Sequence, residues 1–283
     1  MKPRDNPGRE PFLLDRSMTF KPTPMPSLWP GELAAQLREQ APPAALKESM
    51  AARLRARASA SAQAHKAFKV TRREDGAWQQ RGPGAQARVL YEDAQFCVEC
   101  VRLQNGAAMP WNDSDHAQEI LLLQGRLGWD GTPLPPMGYG VRGTPHTPVV
   151  AAQAGTEVYV RRLRVEAATL SAVESHWWQQ AAGQRVDDAL GGTWSANGQG
   201  MEMRPLAQAG AVASMLVRLA PGGVAPDHAH PIAEDCMMIE GELYLGDILL
   251  RAMDYQLAPT EASHCRISSD TGALFFVHGA LPA

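Results

Sequence analysis

The fold class that this sequence predicts is all-β: two tandem antiparallel barrels behind a short helical N-terminal arm. Three observations predict it: an internal repeat, the length of the apolar runs, and a change of periodicity before residue 63. The repeat comes first, because it fixes the organisation of everything else. Trp78 recurs 116 residues on as Trp194, and the same ungapped offset pairs Gly76 with Gly192, Gly82 with Gly198, Gly84 with Gly200, Arg88 with Arg204 and Leu90 with Leu206. It continues through Val101-Arg102-Leu103 and Val217-Arg218-Leu219, then Gly106 and Gly222, Pro110 and Pro226, Gly125 and Gly241, Leu127 and Leu243. A register held over that span is a duplication, and each copy, about 100 residues long, has the size of a domain with its own core.

Within a copy the apolar runs are short and broken by Gly, Pro and Asp: Phe96–Leu103, Ile120–Leu123, Val158–Leu163, Ala213–Leu219, Cys236–Ile239 and Leu274–Val277. Those lengths suit strands, so each copy reads as an antiparallel sandwich or barrel. The arm differs in kind. Residues 1–30 carry seven prolines and should be extended or disordered on their own, whereas from Gly31 to about Ala62 the spacing is helical, with Leu33 and Leu37 four apart, a Pro42-Pro43 break, then Leu46, Met50 and Leu54. Two short amphipathic helices follow from this, the second starting at the proline pair. Its polar face carries Arg53, Arg55 and Arg57, read as a solvated face in preference to a nucleic-acid contact. Between the copies a mixed segment holds Trp177-Trp178, which should bury against neighbouring surface. The resulting division is an arm at 1–70, a first barrel at 71–165, a linker at 166–190 and a second barrel at 191–283.

Composition narrows the class of protein. At 45% apolar and 20% charged residues, collagen-like, disordered and disulfide-scaffold readings are excluded, and no stretch approaches the roughly 18 unbroken apolar residues of a membrane span. Four cysteines in 283 residues fit a reducing compartment, so a cytoplasmic protein is expected. The net charge of −3 is unevenly spread: residues 1–75 hold fourteen Lys and Arg against eight Asp and Glu, so a basic arm precedes an acidic body.

The second copy carries the chemistry. Gly222 is followed after five residues by His228, then after one residue by His230, after three by Glu234 and after six by Gly241. Residues i and i+2 of a strand project to one face, so the two imidazoles point together, and a carboxylate four further on keeps that parity. His264, five residues after Pro259, supplies a fourth group. Three imidazoles and a carboxylate suit a first-row divalent cation such as zinc, iron, manganese, nickel or copper better than calcium or magnesium. In the first copy the same offset puts Asn112, Ser114, Gln118 and Pro148 at the four ligand positions, so that copy should keep the fold without the ion. His116, Glu119 and His146 lie nearby but do not share the parity of the site, and are expected to be ordinary polar residues.

The run Gly222–Gly241 resembles the first motif of the cupin superfamily, and Pro259 with His264 resembles the second, whose usual glycines are replaced here by Met253 and Glu261 and whose final Asn falls on Ser268. The resemblance implies a bicupin over residues 70–283, two tandem cupin (double-stranded β-helix) barrels with a metal inside. The passages REDGAWQQRGPGAQARVLYED, GGTWSANGQGMEMRPL and APPAALKESMAARLRARASA further resemble the cupin region, and the linker before it, of ChrR-type anti-sigma factors. In that family a helical N-terminal zinc domain grips an extracytoplasmic-function sigma factor, and the zinc-bearing cupin domain is needed for release on exposure to oxidant. The resemblance therefore implies zinc and a sigma factor or other protein held through the arm, although no cysteine precedes residue 70 to complete the family's His/Cys zinc motif.

Among the cysteines, Cys97 and Cys100 are three apart on an expected strand, hence on opposite faces, and are read as structural thiols. Cys236 and Met238 continue the parity of Glu234 into the barrel interior, where core filling is expected and a redox or pocket role beside the metal is the sharper alternative. Cys265 should point away from the site. Three functional classes stay open: a ChrR-like metal-sensing regulator; a metal-dependent oxygenase with a small organic substrate, its pocket lined by Met237, Met238, Tyr244 or Tyr255; and a scaffold braced by the ion. A homodimer is compatible with all three.

Overall fold

The computed structural model describes residues 43–110, 116–144, 147–196 and 198–281. Residues 1–57 and 58–283 form separate units. The Pro-rich stretch and the first expected helix of the arm lie outside the described residues. The second helix, α1 (Ala44–Ala64), begins at the proline pair, where the Pro43 carbonyl accepts from the amides of Leu46 (2.9 Å) and Lys47 (3.0 Å). None of its residues is buried, so the stripe of Leu46, Met50 and Leu54 is exposed together with Arg53, Arg55 and Arg57. No helix among the described residues is long and apolar enough to cross a membrane.

The rest is mainly strand. A seven-stranded sheet runs in the order Arg185–Val186, Tyr139–Arg142, Gln118–Gln124, Thr156–Leu163, Phe96–Leu103, Ala85–Glu92, Gln79–Gly82. A ten-stranded sheet follows the path Lys69–Thr71, Tyr255–Ala258, Glu234–Leu245, Ala273–Ala280, Val212–Leu219, Met201–Ala209, Ser195–Ala196. The sequence repeat is also a repeat of topology: Phe96–Leu103 and Val212–Leu219, or Tyr139–Arg142 and Tyr255–Ala258, begin and end at the 116-residue offset. Side-chain contacts repeat as well, since Arg102 lies 3.8 Å over the Trp78 ring and Arg218 lies 4.3 Å over Trp194.

Two pairings could not be read from sequence. Lys69–Thr71, which precedes the first copy, adds antiparallel to Tyr255–Ala258 of the second, and Arg185–Val186, which precedes the second copy, adds to Tyr139–Arg142 of the first. Each copy thus lends its leading strand to the sheet of the other.

Alternation along the strands sorts the apolar residues into three clusters. One fills the interior of the first copy, with Val101, Leu103, Ile120, Leu122, Val158 and Val160. Another fills the second, with Met215, Val217, Cys236, Met238, Leu243 and Phe275. The largest joins the opposite faces of both large sheets, Val98, Cys100, Leu121 and Tyr159 from one and Leu216, Met237, Tyr255 and Phe276 from the other. Helix α2 (Ala172–Ala181) also packs there, capped by Ser171, whose Oγ accepts from the Glu174 amide (3.3 Å). Its Trp177 and Trp178 are buried, as their adjacency led us to expect.

That shared layer also contains charge. Tyr139 donates to Glu119 Oε1 (2.7 Å), and its counterpart at the repeat offset, Tyr255, donates to Asp235. His278 bonds Ser214 Oγ (2.8 Å) and lies 3.6 Å from Glu119 and 3.5 Å from Glu174, while Arg161 reaches Asp235 (3.0 Å) and Glu174 (3.5 Å). Burial pushes the Glu174 carboxyl up, but Arg161 and His278 together outweigh it and hold the group at about 2.

Candidate metal centre

The four residues singled out by spacing meet at one point. One ligand atom from each of His228, His230, Glu234 and His264 lies within 4.8 Å of the others, the only such His/Cys/Asp/Glu group among the described residues. Two short strands, His228–Ala229 and Ser263–His264, pair so that His228 faces His264 across the register, and Glu234 opens the long strand Glu234–Leu245. The imidazoles stand nearly perpendicular, with centroids 4.5 Å apart for His230 and His264 and 4.9 Å for His228 and His230. Donors at about 2.1 Å from a common ion are about 3 Å apart when adjacent and about 4.2 Å when opposite. The 4.8 Å within which the four atoms lie is slightly wider than that, so a small inward shift of the side chains would close them on an ion.

Electrostatics agree with the geometry. His228 Nδ1–H donates to the Pro226 carbonyl (3.0 Å), which leaves its Nε2 lone pair free to face the cluster. Glu234 lies 3.5 Å from His230 and 3.8 Å from His264. The Nε2 atoms of His230 and His264 are buried without a hydrogen-bond partner, an expensive condition that an ion would relieve. Burial pushes His264 down to about 4; Glu234 pulls the other way and is outweighed by burial with His230, His228 and His65. A histidine that stays neutral keeps its lone pair for a metal. The donor set therefore fits a divalent transition metal, which would polarise a bound oxygen or nitrogen donor as a Lewis acid.

Further residues shape the site without any sequence signal. Phe68 stacks on His264 with centroids 5.2 Å apart, carried there by the adjoining exchanged strand Lys69–Thr71. Gly279 makes room for Glu234: a Cβ at that position would stand 2.9 Å from Glu234 Cγ. Met253 and Glu261 replace the glycines of the second motif, yet both adopt the left-handed backbone, at φ +71° and +68°. The loop keeps its shape at some conformational cost.

Beneath the cluster lies a cavity of about 270 Å³. The sequence expectation for its walls is corrected here. Met237 and Tyr255 face the layer shared by the two sheets, and neither Met238 nor Tyr244 lines the cavity. The methionines that do are Met201, Met203 and Met215, placed by the alternation of the two strands that bear them. Cys236 lines the cavity beside Glu234, and burial, with Glu234 and Asp235, pushes its thiol well up. Met238 is buried in the same core cluster. Cys97 and Cys100 are buried free thiols on opposite faces, and Cys265 is exposed.

In the first copy, Gln118 is buried at the position of Glu234 and Pro148 is exposed at that of His264, while Asn112, Ser114 and His146 lie outside the described residues. Glu119 points to the opposite face, into the layer with Tyr139 and His278.

Comparison with known proteins completes the picture. Residues 184–282 match the family described as the ChrR cupin-like domain. The comparison with curated proteins finds no match. Among solved structures the chain is similar to a Pseudomonas aeruginosa protein provisionally named as glyoxylate-induced, at 12% identity and a TM-score of 0.59 over 76% of this chain and 89% of that one. It is also similar to a Nostoc punctiforme protein provisionally named as a dioxygenase (14%, 0.55, 75% and 81%) and to a mutant of Bacillus subtilis oxalate decarboxylase (13%, 0.52, 75% and 77%). At such identities these likenesses show the fold, which is that of the cupins.

Proposed function

We propose, from the premise that residues 184–282 are a ChrR cupin-like domain, that this protein is a metal-binding bicupin acting as a regulatory sensor. In this reading both copies are cupin barrels, and the first is a degenerate one that supports the second without an ion. The second holds one divalent transition metal, zinc in the first instance, through His228, His230, Glu234 and His264. The observation that carries the reading is the convergence of those four side chains, two of them with buried, unpartnered nitrogens, at the head of a cavity. The basic arm supplies the contact to a sigma factor or another protein, supported by the exposed Leu46, Met50 and Leu54 on α1.

The protein's own contributions are positional. Pro226 fixes the His228 tautomer, Gly279 and the loop at Met253 and Glu261 set where Glu234 and His264 stand, and the apolar wall excludes water. A second reading, a metal-dependent oxygenase, is favoured by one observation: the cavity opens onto the ligand cluster, as a substrate would require.

Metal content decides. Protein purified without added ions should carry about one transition metal per chain, and His230→Ala with Glu234→Ala should abolish it by elemental analysis. Full retention in the double variant would remove the assignment. Zinc without dioxygen uptake supports the sensor, and iron with substrate-dependent dioxygen uptake supports the oxygenase.

A further inference from the structure

The walls of the cavity state what can occupy it. Its lining comes from inward positions of four long strands: Met201 and Met203, Met215 and Val217, Leu243 and Leu245, Phe275 and Val277. Among the described residues, no side chain on the lining other than His228, His230, Glu234, His264 and the Cys236 thiol carries a polar group, and none of the others carries a positive charge.

Charge then limits the ligand. Three neutral imidazoles and one carboxylate around a divalent ion leave one net positive charge in an enclosure that is otherwise apolar. A neutral donor leaves that charge unchanged and a singly charged one cancels it. A dianion leaves an excess negative charge beside Glu234 with no cationic side chain among the described lining residues to meet it, which burial penalises heavily. Size limits it too. An apolar cavity of about 150 Å³ takes up benzene, and this one, at about 270 Å³, is nearly twice as large.

We propose that the second barrel binds a neutral or singly charged organic molecule with one oxygen or nitrogen donor at the metal and an apolar body larger than benzene, and that it rejects small dianions such as oxalate. This rests on the metal reading above and names the ligand class of the same site. It also separates this chain from the oxalate-acting protein it resembles in fold.

The test is calorimetric titration of the zinc-loaded full chain with 2-naphthol and, separately, with oxalate, zinc content being measured on the same samples. The expected result is one 2-naphthol per chain, at least tenfold tighter than oxalate. Ala225→Leu fills the cavity from its wall and Leu281→Trp from its half-buried rim; either should weaken 2-naphthol at least tenfold with zinc content unchanged. Zinc present but oxalate bound as tightly as 2-naphthol, no 2-naphthol binding, or binding that folded variants leave unaltered overturns the ligand class while the metal reading stands. A chain that takes up no zinc overturns the metal reading itself, and the anchored ligand with it.

Discussion

Glu234 stands where three independent constraints meet. Its carboxylate is shared between His230 and His264, its backbone starts the longest strand, and its methylene group occupies the space that the absent side chain of Gly279 provides. Gly279 has an ordinary backbone conformation, so Ala there is allowed by φ and forbidden only by Glu234. Gly279→Ala should therefore leave the fold intact and lower metal affinity by about 10- to 100-fold, the usual consequence of displacing a ligand's support. Competition with a chromophoric chelator measures this, and unchanged affinity would mean that Glu234 is not held where the ion needs it. The four candidate residues were legible in sequence from their spacing, but not by the parity of a single strand: the strand ends at Ala229, a bend follows at Pro231 and Ile232, and a separate strand presents Glu234. Phe68 and Gly279 were not legible, because a stacking ring and a missing Cβ act through contacts made by residues distant in the chain.

At the scale of elements, the strand Glu234–Leu245 serves two environments by alternation. Glu234, Cys236 and Met238 face the interior of the second copy, whereas Asp235 and Met237 face the layer between the sheets. Helix α2 closes that layer with Glu174, which lies three residues after its capping Ser171 and reaches Arg161 and His278. The Glu174 carboxyl is held at about 2, below its unfolded value of 4.5. Its stabilisation is thus fully present above pH 4.5 and lost as pH falls toward 2, by on the order of 3 kcal/mol. Comparing denaturant unfolding of the wild type with Glu174→Gln should show a large gap at pH 6 that narrows toward pH 3. A gap independent of pH would mean that the ionic contacts contribute nothing. The buried tryptophans were legible as a packing pair, but the helix that carries them was not, and neither was the ion cluster, whose Glu119, Arg161, Glu174, Asp235 and His278 come from five separate elements.

For the whole molecule, the reciprocal exchange of Lys69–Thr71 and Arg185–Val186 and the shared apolar layer make each copy's sheet depend on the other. Neither copy can lose its edge strand or its covering face without exposing the partner's. Calorimetric unfolding of residues 58–283 within the full chain should accordingly give one cooperative transition. Two well-separated transitions would show that the copies are energetically independent domains joined by a linker.

The sequence by itself determined the repeat, the strand-rich class of each copy, and the four residues that converge in the second copy and are replaced at Gln118 and Pro148 in the first, because periodicity and spacing are local properties of the chain. It also pointed to the cupin resemblance through the residues around His228. Only the tertiary structure decided which methionines line the cavity, that Phe68 covers His264, that Met253 and Glu261 adopt a glycine-like backbone, and that the leading strands change places. Those features depend on which faces meet across the fold, and short strands and single side chains carry no local signal of the surface they will bury.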